Sequence, residues 1–179
     1  MKRVAPGLIV VLSFLGAGCG SFSGEDAPDA VTLCLPAGER AVPLKAELAT
    51  SPEQRQKGLS ERSQLPRRSG MLFIYPNEQG VENSFWMHQT HVPLTILFLD
   101  EQGVVRSIQD MTPCLDGDGS QCASYEAGVS HWMALEVNQG LPQALGVSEG
   151  DIIRRSQGGA KAACETLQKL TPRTLPRAY

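Results

Sequence analysis

Short apolar stretches recur along the chain at lengths that are typical of β-strands. Apolar and polar residues alternate over residues 44–49 and again over residues 131–138, which predicts strands with one buried face. Residues 92–99 are nearly all apolar, too short for a membrane span and rich in strand formers, so they predict a central strand. A turn at residues 100–103 leads into residues 104–108, and these two strands predict a hairpin.

Helix signals are few and short. Ser51 can cap a helix, Pro52 suits its first position and Gly58 marks its end. Residues 141–145 predict one further helical turn. Shorter extended segments are predicted at residues 71–75, 84–90 and 152–153.

These elements together predict the fold class. Many short strands with one or two short helices indicate a mainly β (α+β) domain. We expect a small, mostly antiparallel sheet that is curled into a partial barrel.

The N-terminus has the pattern of an export signal. Lys2 and Arg3 precede apolar residues 4–15, and small residues lead to Cys19. This predicts a lipoprotein-type signal peptide at residues 1–18 and acylation of Cys19, while cleavage by the ordinary signal peptidase would leave a free Cys19 in a secreted protein. We expect a protein of the bacterial cell envelope, lipid-anchored to the outer membrane and facing the periplasm.

The same reasoning divides the chain into segments. After the signal peptide we expect a lipidated flexible tether at residues 19–38, since Gly, Ser, Asp and Pro dominate its first half. The β-rich domain then spans residues 39–155. Residues 156–179 form a C-terminal tail.

The remaining four cysteines predict two disulfides in an oxidising compartment. Cys114 and Cys122 flank a polar, glycine-rich stretch that can fold back on itself, so we expect them to pair locally. Cys34 and Cys164 then pair by elimination. A zinc site at Cys114 and Cys122 is the weaker alternative, because it needs two further ligands at suitable spacing.

Length and charge limit the partners. The 179 residues fit one domain with appendages, and 41% hydrophobic residues supply an ordinary core. The formal net charge is −3 and no dense basic run occurs, so we expect no nucleic-acid partner.

Six short segments between about Leu44 and Ile153 carry a pattern of residues at fixed spacings: Leu48-Ala49-Thr50-Ser51-Pro52-Glu53, Gly70-Met71-Leu72-Phe73, Phe85-Trp86-Met87, Phe98-Leu99-Asp100, Leu135-Glu136-Val137-Asn138 and Gly150-Asp151. With these segments the chain resembles one family, the domain of unknown function 192. The resemblance implies a compact β-rich domain that is usually exported, and it implies no established activity. His88-Gln89 stands where the family usually has Lys-Asn, and Thr95 where it usually has Asp.

Four residues form the candidate binding site. Trp86, His88 and Thr90 would share one face of a strand, giving an aromatic platform beside two hydrogen-bonding groups, which suits a small polar or saccharide ligand. In the alternative, Trp86 packs in an apolar layer and His88 lies at its edge. Glu136 is a candidate general base, or else an exposed or structural carboxylate.

Other chemistry has less support. His88 and His91 would point to opposite faces of a strand, so we expect no metal site there, and no cofactor is implied. Asp116-Gly117-Asp118-Gly119 faintly resembles a calcium loop that lacks its further acidic ligands.

The sequence therefore favours a binding module over an enzyme. Its partner would be a membrane through the lipid anchor, together with an envelope protein, a peptide or a saccharide. The second hypothesis is a hydrolase-type envelope enzyme using Glu136 or His88, which requires His88, Glu136 or Asp110 to meet in one pocket.

Overall fold

The computed structural model describes residues 29–156 and Cys164. The predicted signal peptide, Cys19 and most of the tail lie outside the described residues. Within this part of the chain there are nine strands and two short helices. The strands are β1 (Ala30–Ala37), β2 (Arg40–Ala49), β3 (Ser69–Gln79), β4 (Ser84–Trp86), β5 (Leu94–Leu99), β6 (Val105–Met111), β7 (Ser124–Glu126), β8 (His131–Asn138) and β9 (Arg154–Arg155), and the helices are α1 (Pro52–Lys57) and α2 (Leu141–Leu145).

Seven strands form one mixed sheet in the order β6-β5-β8-β3-β2-β1-β9. The β2–β3 pair is parallel, because α1 carries the chain back to the start of the next strand, and the other neighbours are antiparallel. Strands β4 and β7 pair separately. The mainly β fold class is thereby confirmed.

The segment before and within β9 brings the two edges of this sheet together. β9 pairs with β1 at one edge. At the other edge, the Val105 amide donates to the Asp151 carbonyl at 2.8 Å and the Ile153 amide donates to the Gly103 carbonyl at 2.9 Å. Only one isolated bridge joins this segment to Val104, so the sheet curls but does not close into a barrel.

Curling gives the sheet one enclosed face and one outer face, and both are buried. The enclosed core contains residues from both edges of the sheet: Val31, Leu33, Leu35, Leu44, Ala46, Leu72, Leu97, Leu99, Val105, Leu135, Val137, Val147 and Ile153. The outer core lies between the sheet and the loops that cover it: Ala49, Leu59, Leu65, Met71, Phe73, Met87, Leu94, Ile96, Phe98, Met111, Ala127 and Ala134. All six residues of β5 are consequently buried.

Helix α1 has the predicted cap. The Ser51 hydroxyl accepts a hydrogen bond from the Gln54 amide at 3.2 Å, and the Gln54 side chain accepts one from the Ser51 amide at 2.9 Å. This capping box satisfies two amides that the first turn leaves unpaired. The helix ends at Gly58. No helix among the described residues is long and apolar enough to cross a membrane.

Four local predictions need correction. β1 lies inside the predicted tether, because residues 30–37 carry buried apolar side chains that pair with β2. β7 was not predicted, since its three residues rely on pairing with β4. The last strand is Arg154–Arg155, one step after the apolar pair at residues 152–153. The extended segment predicted at residues 84–90 is a strand only as far as Trp86.

Both predicted disulfides are present. Cys114 and Cys122 close the short loop with Cα atoms 5.6 Å apart. Cys34 on β1 bonds Cys164 with Cα atoms 5.5 Å apart. The second bond ties the tail to a strand of the main sheet.

Gly70 tests the close contact between β3 and β8. A Cβ atom at Gly70 would lie 2.3 Å from the Glu136 carbonyl oxygen, which is closer than any real contact. We predict that Gly70→Ala lowers the free energy of unfolding by about 1–3 kcal/mol, measured by urea denaturation.

Gly117→Ala is the matched control. A Cβ atom there would meet no atom within 4 Å, so we expect a change within about 0.5 kcal/mol. Equal effects of the two substitutions would show that β3 and β8 do not approach as described.

Candidate functional site

A cavity of about 270 Å³ opens on the outer face of the sheet, and we call it the Trp86 pocket. Its walls come from the end of α1 and the turn after it, from β3, from β4 and from the turn after β4, and Glu136 on β8 completes the lining. Its lining residues are Arg55, Gln56, Lys57, Gly58, Leu59, Ser60, Phe73, Tyr75, Ser84, Phe85, Trp86, His88, Thr90 and Glu136.

All four residues selected from the sequence line this one cavity: Trp86, His88, Thr90 and Glu136. The predicted reason was wrong, because β4 ends at Trp86 and the chain then turns. The Thr90 amide donates to the Met87 carbonyl at 2.9 Å, and Gln89 between them has φ 54°. A turn, and not one strand face, therefore brings the three side chains to the same cavity.

Trp86 is exposed, in contrast to the alternative in which it packs in an apolar layer. The residue is 56% exposed, so the indole is open to solvent at the edge of the pocket. The Trp86 and His88 rings lie 5.0 Å apart with 40° between their planes. Together they form one aromatic wall.

The loop closed by Cys114 and Cys122 supports this wall. Gly119 in that loop lies so close that a Cβ atom would be 3.0 Å from the His88 ring and 3.2 Å from the Trp86 ring. The backbone of Cys114 forms bridges with residues 88 and 90. Since Gly119 also has φ +76°, glycine is needed there both for space and for conformation.

His88 has an unused polar atom. Its Nε2 is buried and has no hydrogen-bond partner among the described residues. Buried polar atoms without partners are uncommon in folded proteins, and in a cavity wall such an atom is available to a ligand.

Glu136 is buried, contrary to the expectation of an exposed or hydrogen-bonded carboxylate. It is 4% exposed because the loops over the outer core cover its face of β8. Its carboxyl group forms no hydrogen bond with any of the described residues. Burial raises the pKa of Glu136 to about 8, so the group is mostly a neutral acid at pH 7.

Arg55 and Tyr75 are among the lining residues that the sequence analysis did not select. The Arg55 guanidinium lies 5.0 Å from the centre of the Tyr75 ring and donates to the Ile74 carbonyl at 3.0 Å. Burial raises the pKa of Tyr75 to about 12. The charge of Arg55 lowers this pKa, and the charge of Glu136 raises it. The sequence signal that could have identified Arg55 is its position one turn after Ser51, the residue that caps α1.

Two strained residues hold the pocket walls together. Glu61 has φ 65° and Gln89 has φ 54°, both in the left-handed region that side-chain-bearing residues seldom adopt. The Glu61 amide donates to the Gln89 carbonyl at 2.7 Å, which joins the turn after α1 to the turn after β4. Strain of this kind persists where the surroundings fix the backbone, and it is frequent at functional sites.

The other sequence candidates lie elsewhere. Asp110 is exposed on β6 and accepts a hydrogen bond from the Thr95 hydroxyl at 2.5 Å. It does not line the Trp86 pocket. His91 is exposed. His131 is fully buried against Phe98, and burial lowers its pKa.

The three histidines therefore do not share a site. Among the described residues no group of three or more His, Cys, Asp and Glu side chains could hold a metal ion. The aspartates of the calcium-like loop bond to their own turn, where the Ser120 amide donates to Asp118 Oδ1 at 2.9 Å.

The raised pKa of Glu136 predicts how stability depends on pH. Between about pH 4.5 and pH 8 the folded protein keeps a proton that the unfolded chain releases, so the free energy of unfolding falls as pH rises through this window. We predict that Glu136→Gln removes this loss and makes the variant more stable than the wild type at pH 8, by on the order of a few kcal/mol. Urea denaturation at a series of pH values measures the effect.

Glu53→Gln is the control, because Glu53 is exposed in the first turn of α1 and its pKa is lowered, mainly by backbone hydrogen bonding. It should leave the slope above pH 5 unchanged. An unaltered slope in Glu136→Gln would mean that Glu136 is ionised at neutral pH.

Comparison with known proteins gives a family and no activity. No curated protein matches the chain significantly. A crystal structure from Sinorhizobium meliloti 1021, described as a "putative transcription regulator", is 30% identical with TM-score 0.65, over 74% of this chain and 98% of that one. A protein of unknown function from Novosphingobium aromaticivorans DSM 12444 is 25% identical with TM-score 0.62, over 73% of this chain and 89% of that one.

The family comparison agrees with the resemblance seen in the sequence. The model of DUF192, described as an uncharacterized ACR, matches residues 34–155. This range includes β2 to β9, the second half of β1 and every residue of the Trp86 pocket. The chain belongs to the domain of unknown function 192 family.

Proposed function

We propose that the protein is a binding module of the cell envelope, and that the Trp86 pocket holds a small polar ligand such as one sugar ring. The observation that carries the proposal is the exposed indole of Trp86 beside a cavity that contains a buried carboxyl group, one that forms no hydrogen bond with the part of the chain that the structure describes. An indole face packs well on the apolar face of a sugar. Groups at the cavity wall then bind its hydroxyl groups.

The size of the pocket favours a small ligand. A cavity of about 270 Å³ lies just below the range of roughly 300–1,000 Å³ that holds drug-sized molecules. It suits one ring of a longer chain better than a whole oligomer. The exposed Trp86 at its edge leaves room for the rest of the chain to continue outside.

The charges favour a ligand with an acidic group. As a neutral acid, Glu136 offers one O–H donor and one acceptor without repelling an anion. Arg55 and Lys57 in the lining are cationic. A carboxylate-bearing envelope saccharide, such as a muropeptide from peptidoglycan, combines hydroxyl groups with the required negative charge.

An enzyme is the second candidate, since Glu136 and His88 line the same cavity. Common glycoside hydrolases need two carboxyl groups flanking the bond that breaks. Glu136 is the only acidic residue in the described lining, and Asp110 lies elsewhere. Binding is therefore the better-supported function.

Transcriptional regulation has no support in this chain. The description of the Sinorhizobium meliloti protein invites the comparison, but DNA binding relies on cationic residues that neutralise phosphates. The net charge of −3, without a dense basic run, argues against that role.

A soluble disaccharide muropeptide tests the pocket by calorimetry. We predict binding by the wild type and a loss of about ten-fold in affinity for Trp86→Ala, because the indole face is removed. Leu115→Ala is the matched control, since Leu115 is also an exposed apolar side chain, at 60%, but does not line the pocket.

Three outcomes would contradict the proposal. They are no binding by the folded wild type, equal losses in the two variants, and release of a cleaved product during incubation. The last result would favour the enzyme.

Anchoring at Cys19 is the other part of the proposal. It is supported by the sequence pattern before Cys19 and by the two disulfides, which require an oxidising compartment. We predict that the intact mass of the native protein corresponds to a chain starting at an acylated Cys19, and that reduction adds four hydrogen atoms, two for each disulfide. Cys19→Ser should move the protein out of the membrane fraction.

A native protein that keeps residues 1–18 and has every thiol reduced would contradict the anchor. That result would not contradict ligand binding in the Trp86 pocket, which is tested separately.

A further inference from the structure

A second and larger cavity, of about 820 Å³, lies on the enclosed face of the sheet, and we call it the aliphatic cavity. It is separated from the Trp86 pocket by the sheet itself. Its apolar lining comes from the ends of five strands and from the segment before β9: Val31, Leu33, Leu48, Leu72, Ile74, Leu99, Met133 and Ile153.

This volume is too large for a packing defect. Protein cores are packed like organic crystals, and voids larger than a water molecule are few. Three lining residues, Leu48, Ile74 and Met133, pack against the enclosed core but stay only partly buried. About 820 Å³ lies within the range of cavities that bury a drug-sized ligand.

The rim of the cavity is preformed. It is built by the turn at residues 101–103 and by residues 153–155. The Ile153 amide donates to the Gly103 carbonyl at 2.9 Å. Gly103 has φ +80°, and a Cβ atom there would lie 2.5 Å from the Ile153 carbonyl oxygen, so the two rim segments meet at a backbone contact that only glycine permits.

The rim carries a cation on the cavity side. In the pairing of β9 with β1, Arg155 is opposite Leu33 and Arg154 is opposite Cys34. Directly paired residues share a face of the sheet, so Arg155 lies on the face of Leu33, which lines the cavity, and Arg154 also lines the cavity at its rim. Among residues 29–156 no acidic side chain forms an ion pair with Arg155, and Glu101 is the acidic residue of the rim.

We propose that the aliphatic cavity binds one long-chain fatty acid, with its alkyl chain among the aliphatic side chains and its carboxylate on Arg155. A guanidinium group matches a carboxylate with two parallel hydrogen bonds. The aliphatic lining offers an alkyl chain apolar contact and offers few partners to a polar ligand. The site is independent of the Trp86 pocket, which opens on the opposite face.

Palmitate is the probe, titrated into the purified, delipidated protein and followed by calorimetry. We expect one molecule bound per chain. Arg155→Gln should weaken binding about ten-fold, whereas Arg40→Gln, at an exposed arginine of β2 that does not line the cavity, should change it by less than about two-fold. Hexadecanol, which has the same chain and no charge, should bind Arg155→Gln and the wild type equally.

Two variants fill the cavity, Ile74→Trp and Met133→Trp, and thermal denaturation identifies those that fold. A folded filled variant should lose palmitate binding. The proposal is overturned if the folded wild type does not bind palmitate, if binding survives in a folded filled variant, or if Arg40→Gln and Arg155→Gln weaken it equally.

Discussion

Burial of both faces of the central strands is the constraint on which the rest of the structure depends. β3, β8 and β5 lie side by side in the middle of the sheet, and curling encloses one of their faces while loops cover the other. A polar side chain in the buried middle of these strands must therefore leave water. Glu136 is such a residue, and it lies on β8, between β5 and β3.

The cost of that burial makes Glu136 informative. A carboxyl group without a hydrogen-bond partner is unfavourable in an apolar environment, and its raised pKa expresses this cost. A glutamine or an apolar residue would be more favourable for folding alone. Groups with strongly shifted pKa values concentrate at functional sites, and the arrangement of Trp86 and His88 around the same cavity agrees with this view.

Local patterns predicted the elements whose signals are local. The capping box at Ser51, the hairpin of β5 and β6 and the disulfide between Cys114 and Cys122 depend on residues close in sequence, and all three are present. β1 and β7 were missed because their formation depends on distant partners.

In the candidate site, too, the local features were predicted and those that depend on distant contacts were missed. Trp86, His88 and Thr90 were selected from residue type and spacing, but the turn that brings them together is held from outside by Gly119 and by the contact with Glu61. Alternation along β8 correctly placed Glu136 opposite the face of Leu135, yet it could not show that both faces are buried, one by curling of the sheet and the other by loops. The contribution of Arg55 was hidden for the same reason, since a helix of six residues gives no sign of what it packs against.

The most direct test of this account is a titration of the Glu136 side-chain carboxyl carbon by NMR. The structure predicts a midpoint near pH 8, because burial disfavours the charged form of the group. A midpoint near 4.5, the ordinary value for glutamate, would show that the carboxyl group is solvated, and it would contradict the proposed pocket.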